Sequence, residues 1–252
     1  MLAAMALFGS KTLAAPLSET DLAFLREWSH PYSEMTGGLK TEFESQASHF
    51  LATRRITGVG MKSAINREDK LLVAASACTL SSGWPGYRWT DVSEILLYPD
   101  DFDRDFQFAD GEDNPAAELA GEAHPWGTVI LSLPSLEESF EDPHDGYHVG
   151  YHEFAHILDR DPASSVGFAG GEGGLPSNID GKFAVEMAKA LQSARDALEG
   201  GQSPLDAYGL ESPAELWAVA VEGFFETSSA MTTAHPELRQ LMDLYFNQRP
   251  PN

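Results

Sequence analysis

The chain has 252 residues, 42% hydrophobic and 22% charged, which suits a soluble globular protein with enough apolar surface for a sizeable core. Asp and Glu number 39 against 16 Lys and Arg, a formal net charge of −23. That field repels polyanions and argues against nucleic-acid binding through phosphate neutralisation. No apolar run approaches the roughly 20 residues of a bilayer span. The single cysteine, Cys78, rules out an internal disulfide and reads as a buried small side chain.

The opening MLAAMALFGSKTLAAP is apolar and ends on small residues, as a secretory leader does. No positive charge precedes its apolar part, however, and Lys11 follows it. Residues 1–17 are therefore expected to be a tail or a first helix, with secretion the minor alternative and the cytoplasm the expected location. SETDLAFLREWSH (18–30) opens on a Ser-x-x-Asp cap and spaces Leu22, Leu25 and Trp28 along one helical face. Further helices are predicted from about Lys40 to Arg54 and over 66–80, NREDKLLVAASACTL.

The period then changes. EILLYP (94–99) and TVILSL (128–133) are short, aliphatic and bounded by turn residues, so they read as strands. The acidic, turn-rich stretch between them reads as surface hairpin or loop, and another loop is expected after Pro134. A helix carries GYHVGYHEFAHILD, and glycine-rich FAGGEGGLPSN (168–178) reads as a connection, since it neither follows a strand nor has phosphate-loop spacing. Helices are predicted at 180–199, at 212–229 with Ser212 as cap and Pro213 in the first turn, and after His235. Helices with a small β-sheet make an α+β fold, read as one domain over 18–252.

His148, His152 and His156 recur every four residues, and Glu153 completes an H-E-x-x-H pattern. Residues four apart share a helix face, so the imidazoles of His152 and His156 can converge on one ion such as Zn2+. Glu153 points to a neighbouring side, from which it can take a proton from an attacking water and pass it to a leaving amine. Phe154, Ala155, Ile157 and Leu158 around them indicate a buried helix, in which polar histidines need partners. His148 lies eight residues before His156, about 12 Å along a helix, too far for the same ion. It reads as a residue at or before the helix start, or as part of a substrate cleft. A third ligand must come from elsewhere, and ESPAELWAVAVEGFFE offers Glu215 and Glu222, seven apart on one face. The residues alone do not separate those two.

HEFAHILD together with SPAELWAVAVEGFFE resembles the Mlc titration factor A family of zinc metallopeptidases. LLVAASAC, ILLYPDDF and GEAHPWGTVILS add matches in the same order, so the likeness runs from roughly 40 to 247. The resemblance implies a zincin-like metallopeptidase domain, its zinc site similar to that of the anthrax lethal factor catalytic domain. It makes one Zn2+ per chain the cofactor, His152, His156 and Glu215 its ligands, and Glu153 the catalytic base. Glu222 is then placed to hold a ligand histidine by its other ring nitrogen, and Asp159 is kept beside it in that role. Tyr208, seven residues before Glu215, would donate to the oxyanion of the tetrahedral intermediate. The implied activity is aminopeptidase-like hydrolysis of small or unfolded peptides. The alternative is a regulatory role, since the family's namesake sequesters a transcriptional repressor. Ile157 stands where a basic residue is expected, His148 where an asparagine is, and PAELWAV replaces a more usual PAEFFAV. None of these removes a ligand; they bear on substrate preference.

Overall fold

Ser18 caps the first helix, α1 (Glu19–Trp28): its hydroxyl accepts from the Asp21 N–H, and the Asp21 carboxylate accepts from the Ser18 N–H. This reciprocal box satisfies donors that a helix start leaves bare. Asn66 and Asp69 repeat it at α4 (Arg67–Ser81). Asp21 also accepts two hydrogen bonds from the Arg67 guanidinium, at 2.9 and 3.0 Å, tying α1 to α4. Between them lie α2 (His30–Glu34), α3 (Gly37–Thr53) and β1 (Arg55–Gly58). A computed structural model describes residues 14–103, 119–124, 126–158 and 181–250. The glycine-rich 168–178 stretch and Asp159 lie outside them.

Four strands form one mixed sheet in the order β1-β2-β4-β3, with β2 at Glu94–Tyr98, β3 at Gly121–Ala123 and β4 at Thr128–Ser132. β1, β2 and β4 run parallel, while β3 pairs antiparallel with β4 and puts Gly121 opposite Leu131. Gly121 therefore sits at the carboxyl end of the parallel strands, the end where open α/β sheets bind ligands. Every residue of β4 is buried, which explains the apolar run Val129–Leu131 at its centre, with no polar residue alternating within it.

The helices after β4 are α5 (Leu133–Glu141), α6 (Val149–Leu158), α7 (Gly181–Glu199), α8 (Pro213–Glu226), α9 (Ser228–Ala234) and α10 (Pro236–Phe246), with a 3-10 turn at Ala207–Leu210. The α+β expectation holds, and both predicted strands form. The loop expected after Pro134 is instead α5. Pro134 sits in its first turn, where no N–H is needed, and Ser132 Oγ accepts from the Ser135 N–H as the cap.

α6 is the pivot of the fold. All its residues but His156 are buried, as for a helix packed on every side. It lies against α4, α5, α8, β3 and β4. Phe154 is wholly buried between Phe50 and Trp89, and each such aromatic contributes about 2–3 kcal/mol of burial. At Gly150 a Cβ would come within 2.2 Å of Ser76 Oγ. The glycine that weakens the helix on paper is what lets α6 cross α4 closely.

Candidate metal centre

His152 and His156 project from one face of α6, their rings 4.9 Å apart. α8 delivers Glu215 to the same point: its Oε2 lies 2.9 Å from His152 Nε2 and 3.3 Å from His156 Nε2. Ser212 fixes that carboxylate's place in the chain by accepting from the Glu215 N–H at the helix start. One donor atom from each of the three residues lies within 4.8 Å of the others. Tetrahedral zinc with ligands at about 2.0–2.1 Å holds its donors roughly 3.3 Å apart, so the spacing suits the ion.

Glu222, two turns along α8, is 2% exposed and uses both oxygens on α6. Oε1 accepts from His152 Nδ1 at 2.6 Å, and Oε2 accepts from the His148 backbone N–H at 2.7 Å. The first bond turns Nε2 of His152 toward Glu215 and fixes the ring. Burial pulls the His152 imidazole down, but the hydrogen bonds to Glu215 and Glu222 outweigh it and raise the group to about 10. Burial pushes Glu215 up, and its bonds to His152 and His156 prevail, holding it at about 2. The carboxylates thus draw positive charge to the place where the donors converge.

Glu153 is 5% exposed and lines a cavity of about 320 Å³ beside the ligands. Burial pushes its carboxyl up, against the pull of His152 and His156. It packs flat on β3: a Cβ at position 121 would lie 2.6 Å from Glu153 Cγ and 2.7 Å from Oε1. Only glycine leaves that room. Tyr208 stands at the cavity mouth, 41% exposed, its ring 5.8 Å from that of His152. The Asp206 carboxylate starts its turn by accepting from the Tyr208 N–H.

His148 is not on the cavity wall. It is 1% exposed, stacked on Tyr151 at 3.6 Å and set edge-on to Phe140. Its Nδ1 accepts from the Tyr151 N–H, so it caps the start of α6, and burial pushes its imidazole down to about 3. His148 takes the other reading, a residue just before the helix start: its neighbours Tyr147 and Val149 line the cavity, while its own ring is packed away between Tyr151 and Phe140. Tyr147, its exposed neighbour, lines the cavity instead, as do Gly121 and Asp101. YPDDF and GEAHPWG contained those last two, but the sequence carries no signal that they face Glu153.

Two histidines one helical turn apart, flanked by a buried glutamate and met by a carboxylate from a second buried helix, make a donor set of the metallopeptidase kind. The chain belongs to the glucose-regulated metallo-peptidase M90 family, whose profile matches residues 9–247. It is 26% identical over 224 residues to the uncharacterized protein slr2042 of Synechocystis sp., covering 87% of this chain and 80% of that protein. It is 27% identical over 175 residues to Mlc titration factor A of Escherichia coli O17:K52:H18 and 29% identical to that of Enterobacter sp.. Those alignments cover 66% of this chain and 63% of each titration factor, just under two thirds of their length.

Proposed function

We propose that the protein is a zinc-dependent peptidase that hydrolyses small or unfolded peptides, with aminopeptidase character. The observation that carries this reading is the convergence of His152, His156 and Glu215 within 4.8 Å, beside Glu153 in a cavity. One Zn2+ per chain, held by those three residues, would polarise a carbonyl and lower the pKa of a water. Glu153 takes the proton of the attacking water and delivers it to the leaving amine. Its burial suits that task, because pushing the carboxyl up from its ordinary value makes the carboxylate a stronger base. Glu222 holds the His152 ring in the ligating tautomer. Tyr208 donates to the oxyanion from the cavity mouth. The expected site of action is the cytoplasm; among the described residues no helix is long and apolar enough to cross a membrane.

The test pairs two substitutions. Glu153→Gln is expected to keep stoichiometric zinc and lose hydrolysis of a mixed peptide library by about 10²- to 10⁴-fold. Glu215→Ala is expected to lower zinc content by metal analysis, while His148→Ala leaves it in place. Hydrolysis that survives Glu153→Gln would sink the mechanism.

A second reading, binding of a transcriptional regulator, is supported by the name of the Mlc titration factor relatives and by a net charge of −23 that suits a basic partner. Glu153→Gln separates the two, since a binding role survives it.

A further inference from the structure

The cavity in front of Glu153 carries charge that hydrolysis does not use. Asp101 follows the carboxyl end of β2, Asp206 precedes the Tyr208 turn, and both line the cavity. Each carboxylate is fixed through one oxygen. Ser135 Oγ donates to Asp101 Oδ1 at 2.6 Å, and the Tyr208 N–H donates to Asp206 Oδ1 at 2.7 Å. Among the described residues neither forms an ion pair with Lys or Arg, and no Lys or Arg lines the cavity. Glu153, 95% buried by its 5% exposure and accepting no hydrogen bond from a described residue, is aimed into the same space. With a divalent ion on the three ligands, the carboxylates of Asp101, Glu153, Asp206, Glu215 and Glu222 still outnumber its charge.

The rest of the wall is apolar and aromatic, with Leu119, Val149 and Val219 beside the rings of Tyr147 and Tyr208. Such a surface takes the methylene stem of a long basic side chain, and the ring faces attract its charged head. About 320 Å³ leaves room for one.

We propose that Asp101 and Asp206 form a cation-selecting subsite beside the scissile bond, so that the substrates are peptides presenting a lysine or arginine side chain there. The inference rests on the peptidase reading above and names its substrate class. A Glu or Asp side chain in the same position meets the like charge of Asp101 and Asp206, so acidic peptides are disfavoured.

The test uses the zinc-loaded full chain and fluorogenic peptides differing at one residue next to the bond: Lys, Arg, Ala, Leu or Glu, each with a free or an acetylated N-terminus. Lys and Arg peptides are expected to exceed Glu peptides by about tenfold or more in kcat/KM, the size of one charge-assisted hydrogen bond. The ratio is expected to collapse toward one in Asp101→Asn/Asp206→Asn and to shrink as NaCl is raised. Equal rates on Lys and Glu peptides would overturn the subsite and leave the peptidase reading standing. A preference that follows the free N-terminus whatever the side chain would also overturn it, assigning the carboxylates to the α-ammonium. If no peptide is cleaved, the peptidase reading fails, and the subsite is judged by fluorescence anisotropy of labelled Lys and Glu peptides on Glu153→Gln. Equal affinities there overturn it; tighter Lys binding that Asp101→Asn abolishes supports it.

Discussion

His152 and Tyr208 stand 5.8 Å apart, ring to ring, yet the chain holds them in different ways. His152 belongs to a centre made of two buried helices, where Glu215 and Glu222 meet its two ring nitrogens from a facing element. Tyr208 belongs to a rim of turns and strand ends, with Asp101 and Tyr147, where Tyr208 and Tyr147 are placed by carboxylates two residues before them and all three stay partly open to water. Groups that must sit within tenths of an ångström are on rigid, packed elements, and groups that read a substrate are on loops that can vary. The contrast predicts that changes in the centre alter metal and fold together, while changes at the rim alter turnover and leave both intact.

The most severe way to break that contrast is Glu222→Ala. It leaves the His152 Nδ1–H and the His148 backbone N–H buried without an acceptor. Zinc affinity is expected to fall by about 10- to 100-fold, and urea denaturation to show a loss of about 1–3 kcal/mol. An unchanged zinc affinity would deny that the centre depends on this carboxylate.

Gly121→Ala comes next, at the join between the two regions. Its methyl displaces the Glu153 carboxylate, so hydrolysis is expected to fall by about tenfold or more with zinc content kept, since misplacing a reacting group by about 1 Å costs up to 10². Glu153→Asp, one methylene shorter, is expected to cost less in the Gly121→Ala background than in the wild type, a non-additivity that a mere folding defect would not produce.

Tyr208→Phe tests the rim alone. The expected result is a drop in kcat with KM, zinc content and Tm unchanged, smaller than the about 10²- to 10³-fold lost with a buried oxyanion donor because Tyr208 is 41% exposed, read by steady-state kinetics and a thermal scan. A shift of KM without kcat would make Tyr208 a binding residue instead.

The smallest effect lies away from both regions, in the pair of Asp21 with Arg67. The guanidinium hydrogen bond outweighs burial and holds the Asp21 carboxyl at about 2, so its contribution is present above the unfolded carboxyl value near 4 and fades as pH falls from there toward about 2. With Arg67 half exposed, the pair is worth about 0.2–1 kcal/mol. Denaturation at pH 7 and pH 3 is expected to show Asp21→Asn weaker than wild type at both, by about half as much at the lower pH.

The sequence was legible where chemistry and helical period coincide. His152 and His156 at i and i+4 could only share a face of one helix, and the structure puts them there. Glu215 and Glu222 shared a face as well, so spacing alone left their roles open; the difference between them lies in which ring nitrogen of His152 each meets, a matter of helix crossing rather than of pattern. β1 and β3, four and three residues long, were too short to show a period. α5 stayed hidden because Pro134 reads as a break unless it falls in a first turn. The rim was hardest to foresee, because Asp101, Gly121 and Tyr147 come together through sheet order and not through any local signal.

Glu222 also bears on the order in which the site comes into being. Because one carboxylate grips both the start of α6 and a ligand ring using protein groups alone, the donors are expected to converge as a by-product of folding, without an ion to gather them. A small metal-dependent module loses its fold when its ion is removed. Here a chelator should strip the ion and leave a folded chain behind, ready to be recharged, so the metal can come late, leave and return without the protein having to be remade.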